Sequence, residues 1–138
     1  MQVNSLDFTA TKEIHLDSEL GSPEEEKVTL TVRTCLSKRE RDFLVKALTE
    51  DISQYPTHCA NIVLMGTKGI YEANGDDFIL RRESKKIHGF IKALSRDTLD
   101  KLPPIILHEV GEYCTGEFFQ YLLNAGQKSE LSEEDVKN

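Results

Sequence analysis

The chain has 138 residues, enough for one domain whose core needs neither disulfides nor metal. It is 38% hydrophobic and 30% charged, has no Trp, and contains no apolar run near the ~18–20 residues of a membrane span. The net charge of −7 is uneven: residues 1–27 carry seven acids and two bases, 127–138 four and two, and 28–126 thirteen of each. Acidic ends on a neutral body speak against a phosphate-binding protein, whose affinity rests on clustered Lys and Arg.

Phe8–Leu16 alternates weakly and Val28–Arg33 strictly, with Val28, Leu30 and Val32 on one side; two half-buried strands are predicted. Asp17–Lys27 between them, with Gly21, Ser22, Pro23 and three glutamates, is an acidic loop too long for a tight turn. Ser37-Lys38-Arg39-Glu40 has the form of a capping box. The helix it opens carries Phe43, Leu44, Ala47, Leu48 and Ile52 on one face, and is expected to end near Gln54 because Tyr55 precedes Pro56.

Ala60–Met65 fits a buried strand or a helical turn equally well. Asn74-Gly75 predicts a hairpin turn between Gly69–Ala73 and Asp77–Leu80, in preference to an irregular insertion. Ser84–Leu94 reads as a helix with Ile87, Phe90, Ile91 and Leu94 at helical spacing, weakened by Gly89. Ser95 caps the next turn, where Asp97 and Asp100 suit the helix dipole, and Pro104 opens the last helix. There Leu107, Val110, Cys114, Phe118 and Tyr121 form one stripe, widened by further apolar residues, with Gly126 as the C-cap. The expected fold is α+β: an N-terminal antiparallel strand pair packed on a mainly α-helical C-terminal half, with a small hairpin at 69–80. Residues 1–126 form one domain in this reading, and 127–138 a flexible acidic tail.

No catalytic, cofactor or metal site is expected. Cys35, Cys59 and Cys114 lack a Cys-x-x-Cys pair, and the N-terminus lacks the regions of a secretory signal; free thiols in a reducing cytoplasm follow. His108-Glu109-x-x-Glu112 lacks the second His of a zinc-protease motif and reads as a solvated helix face. His58-Cys59 reads as a structural thiol beside a His, since chain neighbours usually point apart. Gly66-Thr67-Lys68-Gly69 lacks P-loop spacing and reads as a turn. Lys38-Arg39-Arg41 and Arg81-Arg82-Lys85-Lys86 read as solvated helix faces. The last helix is greasier than one core face requires, so it is either buried on most sides or lends an edge to a partner. The partner-binding candidates are Ile105, Ile106, Val110, Tyr113, Phe118, Phe119, Leu122 and Leu123.

The order of parts in VTLTVRTCLSKRERDFLVKAL (28–48) and IKALSRDTLDKLPPIILHEVGEY (91–113) resembles the tail assembly chaperones of long-tailed bacteriophages. These are a strand, a helix opened by Ser-x-x-Glu-Arg, then a short helix and Leu-Pro before a terminal amphipathic helix. The acidic loop and the Asn74-Gly75 hairpin depart from that pattern. The resemblance implies a non-enzymatic role in the host cytoplasm, binding tape-measure or tail-tube subunits and keeping them soluble. Protein partners are expected, with homo-oligomers admitted, and neither nucleic acid nor membrane. The alternative is an acidic adaptor or inhibitor that occupies a basic surface of a host partner.

Overall fold

The computed structural model describes residues 9–16, 28–87 and 91–122, so the loop at 17–27, Gly126 and the tail lie outside the described residues. The fold is α+β, and the two predicted N-terminal strands pair as expected. Strand β1 (Thr11–His15) runs antiparallel to β2 (Thr29–Arg33), with Thr11 opposite Arg33 and His15 opposite Thr29. The period-two pattern of β2 buries Leu30 and Val32 completely.

Helix α1 (Lys38–Glu50) starts where the capping box places it. Ser37 Oγ accepts from the Glu40 amide at 3.2 Å, and Glu40 Oε1 accepts from the Ser37 amide at 2.9 Å. The helix ends earlier than expected, at Asp51, whose backbone leaves the helical region, and a 3-10 turn covers Ile52–Gln54. Tyr55 then opens α2 (Tyr55–Val63) in helical geometry despite preceding Pro56. The proline sits in the first turn, where its missing N–H leaves nothing unpaired. The ambiguous stretch resolves into both alternatives, for α2 passes straight into β3 (Leu64–Lys68), the third strand of the sheet, in order β1-β2-β3. Gly66–Lys68 is therefore strand, not turn. Met65 is the extra residue of a bulge, because Thr31 pairs with Gly66 and Val32 with Leu64.

The 69–80 hairpin is present in small form, with a bridge between Tyr71 and Asp77. Its loop has three residues rather than two. Gly75 N–H donates to Glu72 O at 2.9 Å, Glu72 N–H to Asp76 O at 2.8 Å, and Gly75 takes φ 90°.

The helix predicted at 84–94 does not form. The segment is an antiparallel ribbon of β4 (Arg82–Ile87) and β5 (Ile91–Leu94), a second, two-stranded sheet. Helical spacing of its apolar residues loses to hydrogen bonds from distant elements. Leu94 N–H donates to Asn61 Oδ1 at 2.9 Å, and just ahead of the ribbon Arg81 N–H donates to Thr98 Oγ1 at 3.1 Å, ties that local periodicity does not register. Helix α3 (Arg96–Lys101) is capped by Ser95 as expected, and α4 (Pro104–Phe118) begins at the Pro-Pro break. Helices α2 and α4 pack against each other in the core, where Cys59, Ile62, Ile106, Val110, Cys114 and Phe119 are buried.

Candidate partner-binding site

The greasy last helix is mostly core. Ile106, Val110 and Phe119 are fully buried and present nothing to a partner in this fold. Tyr113 is half-buried: its hydroxyl donates to Arg33 O at 2.7 Å, its ring stacks edge-on against Phe118, and Lys12 Nζ lies 5.2 Å from its centroid. Phe118 is half-buried against the core. Of the eight candidates, Ile105 (43%) and Leu122 (38%) remain open to solvent; Leu123 lies outside the described residues. The surplus apolar surface of the sequence is spent on packing against α2 and the sheet.

Ile52, expected on the buried face of α1, is instead exposed in the 3-10 turn, and Tyr121 is exposed after α4; two more exposed apolar groups sit together on the 70–80 hairpin. Side chains alternate there, so Ile70 and Phe78 turn toward the core while Tyr71 and Ile79 stand 61% and 62% exposed. A cleft of about 510 Å³ lies between the hairpin and the α3–α4 junction, lined by Ile70, Tyr71, Phe78, Lys101 and Pro103 among others. A second, of about 410 Å³, runs between β3 (Met65–Lys68) and the returning limb Asp77–Leu80. On that wall, Thr67 Oγ1 is buried with no hydrogen-bond partner among the described residues. Lys101 bridges the first cleft to the hairpin, with Nζ 3.2 Å from Glu72 and 3.4 Å from Asp97, and both carboxylates hold it charged. A sequence signal for this site exists: a hairpin apolar on both faces, GIYEANGDDFIL, has one face too many for a single core.

The remaining candidates are quieter. His108 Nε2 lies 4.0 Å from Glu112 on an exposed face, and the described residues contain no group of three metal-ligating side chains. Among the described residues no helix is long and apolar enough to cross a membrane. His58 packs edge-on against Phe43, 4.8 Å between ring centres, at the rim of a small cleft of about 210 Å³. Cys59 is buried beside Cys114; burial first, and Cys59 second, push the Cys114 thiol well up, which keeps it protonated. Lys38 pairs with Asp42 at 2.7 Å on the solvated face of α1. The other basic cluster lies on a β-ribbon instead of a helix, and within it Arg82 turns inward.

Arg82 and Arg33 together hold the C-terminus of α2. Arg82 donates to Asn61 O at 3.0 Å, to Leu64 O at 2.5 Å and to Lys92 O at 2.5 Å; Arg33 donates to Ile62 O at 3.1 Å. Two guanidiniums thus satisfy carbonyls that a helix end otherwise leaves to water. Burial, and then the nearby Arg33, lower the pKa of Arg82. Arg33 is neutralised by buried Glu40, through Nη1–Oε2 and Nη2–Oε1 contacts. No protein-family model, curated protein or solved structure matches the chain.

Proposed function

We propose that this chain is a non-enzymatic tail assembly chaperone that binds tape-measure or tail-tube subunits in the host cytoplasm and keeps them soluble. The observation that carries the reading is the pair Tyr71 and Ile79, exposed on one small hairpin that borders two open clefts. A holdase needs apolar surface that its own core does not claim, and this hairpin has it. Ile105, in the first turn of α4 and two residues beyond Pro103 of the first cleft, is exposed as well. The solubilising charge would come from the flanking acidic segments, since the described residues balance at 14 acids and 14 bases.

Co-expression with tail-tube and tape-measure subunits tests this. A soluble complex is expected, weakened at least tenfold by Tyr71→Ser with Ile79→Ser; the idea fails if no subunit gains solubility or forms a complex. The second reading, an acidic adaptor on a basic host surface, draws on the same segregation of charge. Salt separates them: apolar client binding persists at moderate ionic strength, whereas adaptor binding collapses.

A further inference from the structure

The β4–β5 ribbon is the most basic part of the described molecule. Lys85, Lys86 and Lys92 are exposed on it, with Glu83 its one exposed acid among the described residues, and Arg81 and Arg96 flank it, Arg96 beside exposed Asp97. In β4, Glu83 through Lys86 are exposed without alternation, so both faces of this strand meet solvent. Its inner edge pairs with β5 at Arg82, Lys86 and Ile87, with a bulge between Arg82 and Lys86, and among the described residues nothing pairs with its outer edge. An unpaired edge offers a row of backbone donors and acceptors to an incoming strand.

The charges decide which strand is admitted. Lys85, in the bulged stretch, and Lys86, where regular pairing resumes, are both exposed, so a strand added beside them meets two adjacent cations. A second copy of β4 would set these lysines against like charges, which disfavours self-pairing. An extended acidic peptide with carboxylates at adjacent positions meets both. Nucleic acid fits less well: it cannot use the backbone ladder, the described part of the ribbon has no aromatic side chain to stack a base, and the chain carries −7 overall. We propose that the outer edge of β4 docks an acidic, extended segment of a partner protein by strand addition, at a site separate from the 70–80 hairpin.

The test uses the full chain and a fluorescein-labelled ten-residue peptide in which valine and threonine alternate with paired glutamates, read by anisotropy at low and moderate salt. Binding is expected to fall at least tenfold with Lys85→Glu and Lys86→Glu together, with circular dichroism confirming an unchanged fold. It should fall as far when alternate peptide amides are N-methylated, which leaves charge intact and removes the ladder. Equal binding of the methylated peptide would reduce the site to plain charge attraction and overturn strand addition. Absence of peptide binding would overturn it as well. So would tighter binding of a single-stranded oligonucleotide that the same double variant abolishes.

Discussion

Glu40 is buried, yet its carboxyl titrates below the ordinary glutamate range. Burial alone would raise it; the hydrogen bonds from Arg33 and from the Ser37 amide, with the Arg33 charge, outweigh that. A carboxylate lowered in the folded state contributes stability that is complete above its unfolded value and is lost as pH falls through its folded value. Glu40→Gln should therefore flatten the acid limb of the stability curve, as measured by urea unfolding between neutral pH and pH about 3. At neutral pH the same change leaves Arg33 buried with no full counter-charge and should cost about 3–5 kcal/mol. Replacing both residues by apolar ones of similar size should cost much less, because no lone charge is left inside. Half of this network is legible in the sequence. The Ser37–Glu40 box is a local pattern, readable from four consecutive residues. That Glu40 also neutralises Arg33 depends on how the chain turns between β2 and α1, which no spacing encodes.

At the scale of elements, local chemistry locates starts better than identities. Ser37, Ser95 and Pro104 each open the helix expected of them, because a cap acts through hydrogen bonds within a few residues. The 84–94 segment misleads because its pattern fits a helix while its two halves pair as strands and Leu94 is tied to α2. The candidate site shifts for a related reason: the apolar surplus of α4 is visible in the sequence, but its consumption by α2 is not. The hairpin loop gives a direct test. Gly75 holds φ 90°, and a Cβ placed on it would meet no atom within 4 Å, so only backbone strain opposes a side chain there. Gly75→Ala should destabilise the protein by about 1 kcal/mol, seen as a lower midpoint in chemical denaturation, whereas Gly75→Asn should recover part of the loss. Equal midpoints for all three proteins would show that the loop relaxes at no cost.

For the whole molecule, the two sheets share one anchor point. Arg33 from β2 and Arg82 from β4 grip neighbouring carbonyls at the end of α2, so the basic ribbon is fastened to the same turn of helix as the main sheet. Arg82→Met should therefore loosen the ribbon ahead of the body, at a cost of about 1.5–3 kcal/mol. Amide hydrogen exchange should show β4 and β5 opening locally in that variant while α2 and α4 stay protected. Ribbon amides that remained as slow as those of α2 would contradict this. The turn they grip has a further property: Val63 ends the helix and Leu64 begins the strand, with no connecting residue. Most junctions between elements can absorb a change of chain length, and this one cannot. A single inserted residue would turn the faces of β3 over, bringing Gly66 and Lys68 to where their neighbours now lie, and would carry the carbonyls away from both arginines. Length variation in related or engineered versions of this chain should fall in the hairpin loop near Asn74 and be absent at the helix-to-strand seam.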